Sequence, residues 1–92
     1  MKLAIYLRQY SEENEAILSD LFSLLSSTDE VFVEQEVLAE LQQHSAAFAN
    51  TKAFGEDSPL DSSFDMMLTI GGDGTLLKGI SYLRHISIPV LG

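Results

Sequence analysis

The chain is predicted to fold as an α/β domain, a parallel sheet between two layers of helices, on three observations. Short, nearly continuous apolar runs have the length of strands buried on both faces. Segments between them carry apolar residues at helical spacing, so the order reads strand, helix, strand, helix, strand, helix, strand. One strand passes into the next helix through a cluster of glycines, the place where open α/β sheets put their ligand crevice. Connections of this kind are right-handed crossovers between parallel strands.

Leu3 to Leu7, with Ile5 and Tyr6 at its centre, is the first strand. Ser11 followed by Glu12 and Glu13 reads as an N-cap with acids in the first turn, where the positive end of the helix dipole favours them. Ile17, Leu18, Leu21, Phe22, Leu24 and Leu25 then form one apolar stripe, which Ser26 to Asp29 breaks. Val31-Phe32-Val33 is a short second strand, and Glu36 to Gln43 a second helix carrying Val37, Leu38 and Leu41. Residues 49 to 63 hold Gly55, Pro59 and several Ser and Asp with neither period, so they are predicted to be a surface loop. Phe64 to Ile70 is the third strand. Leu76, Leu77, Ile80 and Leu83 place a helix after the glycines, and Ile88 to Leu91 is a fourth strand, with Pro89 tolerable near its start.

Composition sets outer limits. Ninety-two residues allow one small domain with modest burial. The absence of cysteine leaves no disulfide framework or thiolate zinc site and makes cytoplasm the expected compartment. No apolar run approaches membrane-spanning length. Fourteen acids against five bases, a net charge of -9, argue against nucleic acid as a partner, because phosphate tracking needs clustered Lys and Arg. An anionic substrate would have to be held by local amides, a metal ion or residues elsewhere. The stop directly after a strand, at Gly92, suggests an incomplete chain.

The chemistry is concentrated in Gly71-Gly72-Asp73-Gly74-Thr75. Glycines permit positive φ and let a ligand approach the backbone, while exposed amides at a helix start suit a pyrophosphate. Asp73 is the informative residue. A carboxylate beside bound phosphate is repulsive unless it addresses a hydroxyl or a metal, and either role suits phosphoryl transfer to an alcohol. A dinucleotide fingerprint fails because Leu77 occupies its third glycine position, and a P-loop fails because Ile80 and Ser81 follow Gly79. The plain structural reading is a tight strand-to-helix turn with an incidental aspartate.

Phe64 to Lys78, followed by a helix and Ile88-Pro89-Val90-Leu91-Gly92, resembles the glycine-motif block of the NAD kinases. The five-residue core is shared with diacylglycerol and sphingosine kinases, and phosphofructokinases carry a variant of it. Phosphofructokinases, however, have a glycine-rich loop where this chain has Arg8-Gln9-Tyr10, and lipid kinases follow the motif with an Asn-Gly pattern that does not appear here.

The resemblance implies the Rossmann-like N-terminal half of a two-domain fold. It further implies transfer of the ATP γ-phosphate to the 2′-hydroxyl of the adenosine ribose of NAD, with a divalent metal, usually magnesium, and a homo-oligomeric full-length protein. By position, Asp73 would accept the proton, and Gly71, Gly72, Gly74 and Thr75 would bind nucleotide. Lys78, expected in the first turn of the helix, matches a basic position near the nucleotide; its bland reading is a solvated surface lysine. Thr75 is expected to cap the helix. The family's β-rich second domain and its Asn-Asp or Asn-Glu pair are missing, so the 92 residues alone are expected to be inactive. A lipid kinase half and a non-catalytic nucleotide-binding module are the alternatives.

Other polar residues carry less. His44 and His85 are expected to be structural or solvated, Met66-Met67 core filling, and Glu12, Glu13, Glu15, Glu34 and Glu36 solvated faces.

Overall fold

A computed structural model describes residues 1–84 and 86–92; His85 therefore lies outside the described residues. Five parallel strands form one sheet in the order β3-β2-β1-β4-β5: β1 Lys2–Leu7, β2 Glu30–Glu34, β3 Lys52–Phe54, β4 Met66–Ile70 and β5 Val90–Leu91. Helices α1 (Glu12–Ser23), α2 (Gln35–His44) and α3 (Asp73–Ser81) connect them. No helix among the described residues is long and apolar enough to cross a membrane.

The two faces of β1 feed two cores, because alternate side chains of a strand point to opposite sides. Ile5 and Leu7 pack with Leu18 of α1, Val33, and Val37, Leu38 and Leu41 of α2. Ala4 and Tyr6 pack with Phe54, Leu60, Phe64, Met67 and Leu83 on the other side. Gly79 lets α3 lie close on that second face, since a Cβ there would stand 2.8 Å from Thr69 Cγ2 and 3.3 Å from Tyr6 Cδ2. Ser11 caps α1 as its sequence implies, accepting the Asn14 amide at 3.0 Å. Met67 is fully buried, in keeping with core filling.

Four expectations need correction. The segment 49 to 63 is not wholly loop: Lys52–Phe54 pairs with Phe32–Glu34 of β2, and just before the segment a 3-10 turn at Ala46–Phe48 buries Phe48 completely. Three residues are too few to show a period, so β3 exists because β2 offers an open edge. The α1 stripe is narrower than its spacing suggests, because Ile17 and Leu24 are exposed and Leu18 alone is buried. Glu34 is not solvated but 6% exposed, its carboxylate accepting the amides of Glu36 and Val37 at 3.0 Å each, which caps α2. Thr75 does not cap α3: the helix starts at Asp73, Gly72 holds the cap position, and no side chain bonds there.

Candidate functional site

The chain runs from β1 outward to β2 and β3, then crosses back to β4 and β5 on the other side of β1. Connections therefore leave the carboxyl ends of β1 and β4 in opposite directions and part above the sheet, the switch point where such folds hold ligands. The register pairs Leu7 with Ile70, so Arg8 and the Gly71 turn emerge side by side. A crevice of about 460 Å³ opens between them, lined by Arg8, Gln9, Asn14, Ile70, Gly71 and Thr75.

Each glycine of the turn has its own reason. Gly71 has φ +144°, and a Cβ there would lie 2.5 Å from Thr75 Oγ1, so both backbone conformation and packing demand glycine. Gly72 has φ −94° and ψ −166°, open to any residue, and a Cβ would meet nothing within 4 Å. Its bareness leaves the mouth of α3 open. Gly74 makes room for another side chain, since its Cβ would stand 3.3 Å from Arg8 Nη1.

Asp73 is exposed in the first turn of α3, at the positive end of the helix dipole. Thr75 is 6% exposed and fits beneath the turn against Gly71. The amides of Thr75 and Leu76 both turn back to the Gly72 carbonyl, at 3.0 and 3.1 Å. Among the described residues no side chain takes the amides before them, which are the orphan donors of a helix start.

The structure thus brings Gly71, Gly72, Asp73, Gly74 and Thr75 together. Lys78 stands apart. It lies in the last turn of α3 rather than the first, because the helix ends at Ser81. It lines a second cleft of about 270 Å³ on the α3 face, with Tyr6, Arg8, Glu34, Gln35, Glu36, Glu56 and Tyr82. Burial first, and then the Glu34 carboxylate, push the Tyr6 and Tyr82 hydroxyls above the usual tyrosine range. His44 stacks on Tyr10 at 4.3 Å between ring centroids, a packing role.

Arg8 is the residue that sequence reasoning passed over. It borders both clefts and touches the turn, yet it entered only as the mark of a missing glycine loop. The available signal was its position directly after the first strand, the neighbour of the motif strand in any sheet that reverses there.

A doubly wound parallel α/β domain with an open glycine-turn crevice at its switch point is the class that fold and site define. A family model described as the ATP-NAD kinase N-terminal domain matches residues 3–92, and the chain belongs to that family. It is 37% identical to the NAD kinase of Flavobacterium johnsoniae over 93 residues, covering 100% of this chain and 32% of that protein. It is 36% identical to the NAD kinase of Christiangramia forsetii, with the same coverage. The NAD kinase of Methanothermobacter thermautotrophicus matches at 38% over 69 residues, 75% of this chain and 22% of that protein. The chain thus spans about a third of the length of the curated relatives that match it throughout. No solved structure matches it significantly. The match includes the opening strand and helix as well as the glycine motif.

Proposed function

We propose that this domain contributes the glycine-turn half of an active site that moves the γ-phosphate of ATP to the 2′-hydroxyl of the adenosine ribose of NAD, giving NADP. The observation that carries this reading is Asp73, an exposed carboxylate set between glycines on an uncapped helix start. In the step proposed, the ribose oxygen bonds to the γ-phosphorus as the bond to the β-phosphate oxygen breaks, ADP leaves, and Asp73 takes the hydroxyl proton. Gly71, Gly72, Gly74 and Thr75 hold nucleotide around it. Lys78, on the α3 face and away from the crevice, adds positive charge at longer range.

Among the described residues no three His, Asp or Glu side chains gather as a metal cage. Magnesium binds through one or two carboxylates and substrate phosphates rather than an all-protein cage, so in this reading the phosphates of ATP would hold most of it. The ion would supply charge neutralisation there. Cytoplasmic residence is supported by the absence of cysteine, and homo-oligomerisation by resemblance to the family.

Transfer depends on positioning more than on the base, so half of a crevice should catalyse little. The 92 residues alone should make no NADP from ATP and NAD. Substituted for the matching third of the Flavobacterium johnsoniae enzyme, they should support turnover, and Asp73→Asn in that chimera should lower it about 100-fold or more. A chimera in which Asp73→Asn works as well as the parent refutes the reading. Calorimetric titration that gives no heat with NAD, ATP or magnesium would favour a scaffold that binds no nucleotide.

A further inference from the structure

Arg8 follows the last residue of β1, and its guanidinium reaches across to α3, where a Cβ on Gly74 would stand 3.3 Å from Nη1. Among the described residues it enters no ion pair, although Glu34, Glu36 and Glu56 line the cleft on one side of it and Asp73 stands on the helix it touches. A helix start repels cations and attracts anions. An unpaired guanidinium laid against the open start of α3, in a chain of net charge -9, is thus the reverse of what that end of a helix favours. An anion seated between the two reverses the sign of the interaction.

Thr75 points to the same place. Its side chain is more than nine-tenths buried and lines the crevice with Arg8, and among the described residues its hydroxyl has no hydrogen-bond partner. Its oxygen is not sealed from solvent, and the residue forms part of the crevice wall. A planar guanidinium fork and a hydroxyl from two different elements therefore line one crevice, with Gly74 of the α3 start against the guanidinium. That set matches the oxygens of a phosphate, which arginine can grip in bidentate fashion.

We propose that Arg8 binds the terminal phosphates of the phosphoryl donor, opposite the acceptor hydroxyl addressed by Asp73. This rests on the phosphoryl-transfer reading above, and it adds a charge-neutralising residue from a different strand, outside the glycine motif. Inorganic tripolyphosphate serves as the probe of the donor end and NAD as the probe of the dinucleotide, each titrated into the isotope-labelled 92-residue chain while the Gly71, Gly72 and Gly74 amides and the Arg8 Nε–H are followed by NMR. Tripolyphosphate is expected to shift all four signals. Arg8→Gln should weaken tripolyphosphate about tenfold, as loss of a charge-assisted contact implies, and NAD by less than about twofold. Arg8→Lys should restore part of the loss, because charge is kept while the fork is lost.

Three results overturn the proposal: no tripolyphosphate binding to the parent chain, equal binding by parent and Arg8→Gln, or an equal loss of NAD affinity, which would give Arg8 to the dinucleotide pyrophosphate. Asp73→Asn should leave tripolyphosphate binding at least as tight as in the parent. A failure at Arg8 thus leaves the role of Asp73 standing, and a failure of the chimera test leaves this phosphate contact measurable.

Discussion

Gly71 and Gly72 are neighbours in the motif, yet the structure assigns them opposite sensitivities, and alanine at each tests that assignment. At Gly71 an alanine meets φ +144°, a region that L residues occupy at a cost of about 1–3 kcal/mol. Its Cβ would also lie 2.5 Å from Oγ1 and 2.9 Å from Cβ of Thr75, a buried, β-branched side chain with little freedom to retreat. Overpacking of that kind costs about 1–3 kcal/mol more. Together the two approach half of the roughly 5–14 kcal/mol expected to hold a chain of this length, and even the low end lowers the melting temperature by about 10 °C. At Gly72 the φ and ψ suit alanine and no atom lies within 4 Å, so the cost is a poorer helix cap, at most about 1 kcal/mol. Urea denaturation followed by circular dichroism measures both. The new methyl at position 72 stands in the mouth of α3, so Gly72→Ala should keep the fold and weaken tripolyphosphate. If Gly71→Ala unfolds at the same urea concentration as Gly72→Ala, the account of the turn is wrong.

Two further outcomes follow from the caps and the chain terminus. Glu34→Ala removes the carboxylate that accepts two amides of α2 and should cost about 1 kcal/mol in the same urea assay. It should also bring the Tyr6 and Tyr82 hydroxyls back toward the ordinary tyrosine range in an alkaline absorbance titration, since Glu34 is the second cause of their elevation after burial. Asp29 is held below the usual carboxylate range by the Ser26 amide first and then by the N-terminal ammonium 3.0 Å away. A depressed folded value stabilises above the unfolded value of about 3.9 and is lost as pH falls through the folded one. Asp29→Asn should therefore be less stable than the parent at neutral pH, with the difference closing below about pH 4; a difference that persists unchanged at pH 2 would show that the carboxylate charge is not its source.

The strand-helix alternation was legible in the chain because its signals are local. β1 is apolar after Lys2 and β4 apart from Thr69, Ser11 stands at a helix start, and the motif marks its own turn between a strand and a helix. Such features need no knowledge of the partner, since burial on both faces and the geometry of a cap are written into neighbouring residues. β3 was not legible, because three residues become a strand through hydrogen bonds to β2 rather than through any pattern of their own.

The same division runs through the site. Glycines and an aspartate in one pentapeptide declare a strand-to-helix turn by themselves, for the geometry of a tight turn is carried within it. That Gly71 serves the backbone, Gly72 leaves space and Gly74 admits Arg8 was decided by the tertiary structure alone. Arg8 and Gly74 are 66 positions apart in the chain, and parallel pairing of β1 with β4 is what brings them into contact. Lys78 and Thr75 illustrate the converse: both were placed on α3 from sequence, but a shift of three residues in where the helix begins, from a cap at Thr75 to one at Gly72, decides which of them faces the crevice. Sequence determines which elements form because that information is short-range; register and helix phase, which are collective outcomes of packing, decide which charges meet.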